Sequence, residues 1–312
     1  MEKSSKVYVA GHRGMVGSAI VRELNKQGYN NIITRTHKEL DLTRQDKVEK
    51  FFAEEKPEYV FLAAAKVGNM IANATSPADF IYENMMIEMN VICSAYKYDC
   101  KKIIFLGSSC MFPFSAPQPL KEEYILTSPL EEDTAGYSLA KIAGMRYCLY
   151  LNQQYNTQFI VVIPTNLYGP NDNYEPSRSH VLPAFIRRFH EAKINGFDSV
   201  ECWGDGTPIR EFLFVDDLAE LCLFLMNNYN GEKEINASTG KGISVKKLAE
   251  IVADIVGYKG KILWNTSKPN GTMQKVLDAT RATSLGWKYK TELNDGIKIT
   301  YEDFLNNFNV VK

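Results

Sequence analysis

The sequence predicts an α/β protein built on a doubly wound parallel sheet, with a smaller C-terminal substrate domain interleaved with it. Three near-continuous apolar runs, of the kind found in strands buried on both faces, lie at residues 59–65, 102–106 and 159–163. Amphipathic stretches of helical length separate these runs. Because strands that alternate with helices pair in parallel through crossover connections, this order indicates an α/β sheet.

Turn residues and hydrophobic runs predict the first elements of the sheet. Residues 6–10 predict the first strand, and residues 16–27 predict a helix with Gly28 as its C-terminal stop. Residues 32–34 predict the second strand. The chain therefore begins as a strand, a helix and a second strand.

A capping signal predicts the next helix. Thr43 and Asp46 have the spacing of a capping box, in which each side chain accepts a hydrogen bond from a free backbone N–H group. We expect the helix to begin there and to run to about Glu55, because Pro57 follows.

The second half of the chain has a different character. After about residue 165 we expect a long irregular region over the strand ends, because several prolines cluster with Asn and Ser there: Pro164, Pro170, Pro176 and Pro183. Residues 245–256 again predict a helix. We expect a first domain over residues 1–165, with later segments returning to it, and a second domain mainly over residues 166–312.

The charge composition argues against a polyanionic or membrane partner. Lys and Arg number 36 and Asp and Glu 37, so we expect neither nucleic-acid nor membrane binding. An anionic substrate would instead meet a few local basic residues. No apolar signal segment follows Met1, and the longest apolar run is too short to span a bilayer, which predicts a cytoplasmic protein.

Cysteine and histidine usage predicts reduced thiols and no metal site. The six cysteines include no C-x-x-C pair, and the four histidines lack metal-ligand spacing. A chain of 312 residues, 45% of them hydrophobic, can bury a large core without disulfides.

A glycine-rich loop lies between the first predicted strand and the first predicted helix. Gly11, Gly14 and Gly17 fit G-x-x-G-x-x-G, a variant of the Rossmann fingerprint. Glycines permit the tight turn, and the free N–H groups and positive dipole end of the helix suit a pyrophosphate. The loop therefore predicts dinucleotide binding in a Rossmann-type sheet.

Two arginines favour NADP over NAD. An NAD enzyme places Asp or Glu against the ribose hydroxyls about twenty residues after the loop. Here the second strand leads into Arg35, and Arg13 lies inside the loop. Two guanidinium groups suit the 2′-phosphate of NADP, and we expect no carboxylate nearby to repel it.

Three residues form a candidate catalytic set. Tyr137 and Lys141 have i, i+4 spacing, which puts both side chains on one face of a predicted helix. An ammonium at Lys141 would favour the tyrosinate, so we expect a lowered Tyr137 pKa that permits acid or base chemistry near neutrality. Ser108 follows the fourth predicted strand, where its hydroxyl would lie at the carboxyl edge of the sheet beside a nicotinamide.

In this order, the glycine loop, the strand-end serine and Tyr-x-x-x-Lys resemble the extended short-chain dehydrogenase/reductase family. The resemblance is most specific to its epimerase-reductases of GDP-linked 4-keto-6-deoxy sugars, and it runs nearly end to end. The segments that carry it are residues 10–17 (AGHRGMVG), 62–68 (LAAAKVG), 78–84 (ADFIYEN), 106–110 (LGSSC), 164–170 (PTNLYGP), 179–180 (SH), 187–191 (RRFHE), Trp203 and 210–212 (REF).

This resemblance implies a division of labour in the active site. Tyr137 would deliver a proton to the C4 oxygen of the sugar while NADPH delivers hydride to C4. Ser108 would hydrogen-bond the same oxygen, and Lys141 would hold the nicotinamide ribose. Cys110 and His180 would be the base and acid that invert C3 and C5, whose protons the C4 ketone acidifies.

The resemblance also implies ligand contacts and an assembly. The NADPH contacts would be Gly11, His12, Arg13, Gly14, Met15, Val16, Gly17, Arg35, His37, Asp41, Leu42, Lys141, Asn166 and His180. The GDP-linked keto-deoxy sugar would meet Arg188, Trp203 and Arg210, since guanidinium groups suit a diphosphate and an indole covers an apolar or planar group. The protein would be a homodimer built from two helices per subunit, one of them at residues 84–96.

Five positions depart from the pattern of the family. Phe112, Asn69 and Phe214 replace a usual tyrosine, glycine and histidine, and Asn270 and Gln274 replace a usual aspartate and arginine near the expected substrate site. A relative that acts on another GDP-4-keto sugar, such as a heptose, is therefore an alternative. So is a C4 reductase without epimerase activity, and a more distant one is a regulator that senses NADPH.

Overall fold

The computed structural model describes residues 1–268 and 270–307, and the first part of the chain alternates strands with helices as expected. Its elements are β1 (Val7–Ala10), α1 (Met15–Lys26), β2 (Ile32–Ile33), α2 (Gln45–Glu55), β3 (Tyr59–Leu62), α3 (Met70–Thr75), α4 (Pro77–Lys97), β4 (Lys102–Leu106), α5 (Ala135–Tyr155) and β5 (Ile160–Pro164).

The second part of the chain has shorter strands. Its elements are β6 (Asn166–Tyr168), α6 (Val181–Ile194), β7 (Ser199–Trp203), β8 (Ile209–Phe214), α7 (Val215–Asn228), β9 (Ile235–Ala237), β10 (Gly242–Ser244), α8 (Val245–Val256), β11 (Lys261–Asn265), β12 (Gln274–Lys275), α9 (Thr280–Ser284) and α10 (Leu293–Asn307). Within the described ranges, no helix combines the length and apolarity that crossing a bilayer requires.

Six strands form one parallel sheet in the order β2-β1-β3-β4-β5-β9. Apolar side chains of α1 and α7 cover one face of this sheet, and those of α2, α4 and α5 cover the other. Every residue of β1 and β5 is therefore buried. The doubly wound parallel sheet expected from the sequence is confirmed.

The remaining strands build two small sheets beside the main one. Strand β8 pairs with β6, β10 and β12, and β7 pairs with β11. A separate apolar cluster joins α6, α8 and α10 to these strands. Because β9 returns to the main sheet after β6–β8 have left it, the two parts of the chain are interleaved.

The strand order reverses next to β1, and this places a crevice at the carboxyl ends of β1 and β3. The glycine loop that follows β1 and the residues that follow β3 and β4 meet at that edge. Ligands of open α/β sheets bind in such crevices.

Several predicted boundaries agree with the structure. Strand β4 and helix α8 have the predicted bounds, and α2 ends at Glu55 as expected. Gly28 follows α1 with a φ of 80°, in the left-handed region that glycine adopts without strain.

The capping box predicted at Thr43 and Asp46 is wrong. Helix α2 begins at Gln45 with Arg44 as its N-cap, and no side chain caps it. The Thr43 backbone N–H and hydroxyl instead donate to Asp41 Oδ1, at 3.0 and 2.7 Å. The Thr43 hydroxyl is therefore engaged in a turn that precedes the helix and does not cap it.

The irregular region is shorter than the prolines suggested. It covers residues 169–180, and Pro183 lies inside α6 as its third residue. A proline is tolerated in the first turn because the N–H groups there have no partner within the helix.

Candidate active site

Ser108 and Tyr137 meet at the carboxyl edge of the main sheet. Ser108 lies two residues beyond the end of β4, and its Oγ accepts a hydrogen bond from the Cys110 N–H at 3.2 Å. The Tyr137 side chain, which projects from the first turn of α5, lies close to the Ser108 side chain. The strand end and the helix start thus place two hydroxyl groups together.

Lys141 lies one turn after Tyr137 on α5 and points into the protein. Its Nζ is 5.8 Å from the centroid of the Tyr137 ring and 5.0 Å from that of Phe105 on β4. Only 3% of Lys141 is exposed, so its ammonium acts in a region of low dielectric constant.

A buried carboxylate faces this ammonium. Glu88 Oε1, on α4, lies 2.9 Å from Lys141 Nζ, and the side chain of Glu88 has no exposed surface. Glu88 is not among the predicted site residues, although a carboxylate within the apolar stretch of α4 signals that it needs a buried partner.

The expected lowering of the Tyr137 pKa is wrong. Burial raises the pKa of the phenol, and the opposing effect of Lys141 does not outweigh it, while Cys110 and Glu88 raise it further. Tyr137 is therefore held as a phenol, the form that donates a proton.

Cys110 lies beside this set and His180 lies on another element. Cys110 is half-buried, and its carbonyl accepts a hydrogen bond from Ser138 Oγ at 2.8 Å. His180 is the N-cap residue of α6, and desolvation of its imidazole lowers its pKa. Among the described residues no hydrogen bond joins the two side chains.

The glycine loop has the shape that a pyrophosphate requires. A Cβ on Gly17 would lie 2.1 Å from the Gly11 carbonyl oxygen, whereas a Cβ on Gly14 would meet only that oxygen, at 3.5 Å. Gly14 is the N-cap of α1. Among the described residues, no side chain caps this helix and no hydrogen bond reaches the buried Nδ1 of His12. These free groups fit a dinucleotide phosphate.

Arg35 and Arg13 have different surroundings. Arg35 donates to Glu55 Oε1 at 2.6 Å and to the Thr34 carbonyl oxygen at 2.9 Å, whereas Arg13 is exposed. The expectation of no nearby carboxylate is wrong. Besides Glu55, Glu39 lies near both arginines; hydrogen bonds from Thr36 lower the Glu39 pKa most, and the arginines add to this.

The other predicted NADPH contacts surround the loop or lie at the edge of the main sheet. Met15 and Val16 open α1 and are partly buried, and His37 is exposed. The Leu42 carbonyl accepts a hydrogen bond from Asn90 Nδ2 at 2.9 Å. Asn166 Nδ2 donates to the Glu211 carbonyl oxygen at 2.9 Å, which ties β6 to β8.

The three predicted substrate residues belong to the second part of the chain. Arg188 on α6 donates to the Glu201 carbonyl oxygen of β7 at 3.4 Å, and Trp203 ends that strand with 49% of its surface exposed. Burial lowers the pKa of Arg210 on β8, an effect that Glu131 opposes. An exposed indole and two guanidinium groups can accept a planar, anionic ligand.

Asn69, one of the departures from the family pattern, connects two loops. Its Oδ1 accepts a hydrogen bond from the Ala72 N–H at 3.0 Å and caps α3. Its Nδ2 donates to the Ser177 carbonyl oxygen at 2.9 Å, in the segment that precedes His180. A glycine could make neither contact.

The other departures also have structural contacts. Asn270 Oδ1 accepts a hydrogen bond from the Asp205 N–H at 2.9 Å, and Gln274 belongs to β12. Phe112 and Phe214 are buried, with 2% and 4% of their surfaces exposed. At both positions a buried phenyl ring stands where the family usually has a polar side chain, a tyrosine at 112 and a histidine at 214.

A family model and named relatives match this chain. The model of the NAD dependent epimerase/dehydratase family matches residues 7–238. An Arabidopsis thaliana protein named "Putative GDP-L-fucose synthase 2" is 55% identical over 307 residues, which are 98% of this chain and 94% of that protein.

Solved structures are similar along the whole chain. A GDP-6-OMe-4-keto-L-xylo-heptose reductase from C. jejuni is 41% identical with a TM-score of 0.92, over 98% of this chain and 99% of the other. A GDP-L-fucose synthetase from Naegleria fowleri bound to NADP is 27% identical with a TM-score of 0.91, over 99% and 97%.

Proposed function

The chain belongs to the NAD dependent epimerase/dehydratase family, and we propose that it is an NADPH-dependent epimerase-reductase of a GDP-linked 4-keto-6-deoxy sugar. It epimerises the sugar at C3 and C5 and then reduces the ketone at C4. The observation that carries the proposal is that Ser108, Tyr137 and the buried Lys141 lie together, with the Cys110 thiol beside them.

The reduction step needs a proton donor at the ketone oxygen. Bound NADPH supplies the hydride to C4. Tyr137, kept protonated by burial, donates its phenolic proton to the C4 oxygen, and Ser108 donates a hydrogen bond to the same oxygen. Lys141 holds the nicotinamide ribose from below Tyr137.

The epimerisation step needs a base and an acid at the carbons next to the ketone. The Cys110 thiolate removes the proton from C3 or C5, and the ketone stabilises the carbanion as an enolate. His180 returns a proton from the opposite face, which inverts the carbon. Because its pKa is lowered, the protonated His180 gives up its proton more easily.

The nucleotide half of the substrate meets the second part of the chain. Arg188 and Arg210 bind the diphosphate, and Trp203 covers the base or another planar group. We therefore assign NADP binding to residues 1–165, together with β9 and α7, and substrate binding mainly to residues 166–312.

Helices α4 and α5 support a homodimer. They pack side by side and together present exposed apolar side chains: Tyr82 and Met85 on α4, and Leu139 and Tyr150 on α5. Exposed apolar surface of this kind suits a two-fold interface in which each helix pair packs on its copy. Sedimentation velocity should give a dimer, and a monomer at all concentrations would contradict it.

A C4 reductase that leaves C3 and C5 unchanged is the second candidate. It is favoured by the similarity to a C. jejuni heptose reductase and by Asn270 and Gln274, which differ from the family pattern. A heptose substrate belongs to this alternative.

One experiment separates the two candidates. The protein is incubated in heavy water with a GDP-4-keto-6-deoxyhexose and, separately, a GDP-4-keto heptose, first without and then with NADPH. NMR should show deuterium at C3 and C5 before reduction and inverted configuration in the reduced product. Reduction without deuterium at either carbon would support the simple reductase.

A further inference from the structure

Glu88 and Lys141 form an ion pair in the layer between α4, α5 and the main sheet. The carboxylate and ammonium lie 2.9 Å apart, and their side chains are 0% and 4% exposed. The pair lies under Tyr137, since the same ammonium is 5.8 Å from the centroid of that ring.

The neighbouring helix is shaped to admit the carboxylate. A Cβ on Gly144 of α5 would lie 2.6 Å from Glu88 Oε2 and 2.7 Å from the Phe105 ring, so any larger residue would displace the carboxylate. Lys141 is the one cation in contact with Glu88 among the described residues, and neither carboxylate oxygen has a well-aligned hydrogen bond.

A buried ion pair of this kind contributes little net stability to the fold. Two charges lose their hydration when they are buried, and their mutual attraction offsets that loss only when hydrogen bonds complete the geometry. Glu88 lacks those hydrogen bonds, so apolar residues of similar volume would serve the core at least as well. Its position beneath a catalytic lysine suggests a role in the site.

We propose that Glu88 is a positioning residue that fixes the Lys141 ammonium and offsets its charge at Tyr137, so that Tyr137 remains a proton donor. This inference deepens the proposed function and rests on it for the roles of Tyr137 and Lys141. An isolated ammonium beside Tyr137 would favour the phenolate, which cannot donate. A neutral pair holds the ribose-binding amine without that effect.

The pKa shifts of the titratable groups around the pair favour a protonated Lys141 and a protonated Tyr137. Burial lowers the pKa of Lys141, but Glu88 and Tyr137 raise it, and the net change is upward. Burial raises the pKa of Tyr137, Lys141 lowers it, and Cys110 and Glu88 raise it. The remaining neighbour is Cys148 on α5, whose pKa is raised by burial and by Glu88, so it stays a neutral thiol.

The test removes the charge and retains the shape. In Glu88→Gln the ammonium loses its counter-ion, so Lys141 should deprotonate at lower pH and Tyr137 should ionise at lower pH. The alkaline limb of kcat/KM for reduction should therefore move down by about one pH unit or more. Glu88→Asp keeps the charge, so its limb should stay near that of the wild type while kcat falls several-fold.

A second measurement does not need the sugar. NADPH affinity of the apoprotein is measured by fluorescence from neutral to alkaline pH. The alkaline loss of affinity should also come at lower pH in Glu88→Gln, and this shift should vanish in the Lys141→Met background. If no sugar is reduced, the proposed function fails, but the binding titration still reports on the pair.

Two outcomes would overturn the positioning role. One is a Glu88→Gln protein whose kcat/KM and NADPH-affinity limbs coincide with those of the wild type, even if its activity is lower. The other applies if Glu88→Gln does not fold: wild-type kcat and NADPH affinity in Glu88→Asp would then exclude the role. Glu122→Gln is the matched control, since Glu122 is also a buried carboxylate but accepts a hydrogen bond from the Asn236 N–H and lies 3.7 Å from Arg281 rather than beside Lys141.

Discussion

Glu211 Oε1 accepts a hydrogen bond from Ser238 Oγ at 2.6 Å in a fully buried position where β8 of the small sheet meets the end of β9 of the main sheet. The same oxygen accepts from the Thr239 hydroxyl at 2.9 Å and the Gly240 N–H at 2.8 Å. Oε2 accepts from the Leu277 N–H at 2.8 Å. One carboxylate thus joins three segments of the chain.

We expect Glu211→Gln to lower the free energy of unfolding by about 3 kcal/mol, because an amide group turns a donor toward buried donors and leaves them unpaired. Urea denaturation measures the change. The exposed Glu292→Gln is the control and should leave the midpoint unchanged. An equal, small effect of both substitutions would show that the hydrogen bonds to Glu211 do not hold the segments.

We expect NADPH to be preferred over NADH by at least roughly tenfold in kcat/KM, about 1.4 kcal/mol. Since Arg35 is already paired with Glu55 and Arg13 is exposed, Arg13→Ala should reduce this preference. Steady-state kinetics with both cofactors measure it, with Lys259→Ala, an exposed cation three residues after α8, as the control. Equal efficiency of the wild type with NADPH and NADH would refute the role of both arginines.

Tyr137→Phe should lower kcat for reduction by on the order of 10²–10⁴, because the proton donor is lost, while NADPH binding stays nearly intact. Stopped-flow NADPH oxidation and fluorescence titration measure the two effects. Tyr155→Phe removes an exposed hydroxyl at the end of the same helix and should have wild-type kinetics. Turnover of Tyr137→Phe at the wild-type rate would remove Tyr137 from the mechanism.

Cys110→Ser should stop inversion at C3 and C5 yet still allow C4 reduction, because a serine hydroxyl is far too weak a base near neutral pH. The product should be a C4-reduced sugar with its starting configuration at C3 and C5. His180→Asn should also impair inversion. Product NMR is the measurement, with Cys93→Ser, an exposed thiol on α4, as the control. Full inversion by Cys110→Ser would assign the base elsewhere.

The raised pKa of Asp172 should make the free energy of unfolding depend on pH. Burial raises its pKa to about 7, the Asn173 N–H opposes this, and Asp303 adds to it. Because the folded pKa lies above the unfolded value of about 3.9, the contribution of Asp172 is most favourable below that value and is lost as the pH rises through about 7.

Asp172→Asn removes this titration. Its melting temperature should therefore exceed that of the wild type by more at about pH 8 than at about pH 5. Thermal unfolding at both pH values measures the difference, and Asp254→Asn, an exposed carboxylate on α8, should show none. A constant difference would mean that Asp172 does not titrate in this range.

The sequence by itself determined the features that depend on local pattern. The buried strand at residues 102–106 and the helix at residues 245–256 have their predicted bounds, since an apolar run and an amphipathic period are complete within each segment. The close placement of Tyr137 and Lys141 follows from one turn of helix, which no later packing alters.

Only the tertiary structure decided which charges meet. Glu88 on α4 reaches Lys141 on α5 through the packing of two helices, and Glu55 at the end of α2 reaches Arg35 in the loop after β2, so neither pair could be read from spacing. The direction of the Tyr137 pKa depended on the same packing, because desolvation by the whole fold outweighs the one lysine that the sequence revealed.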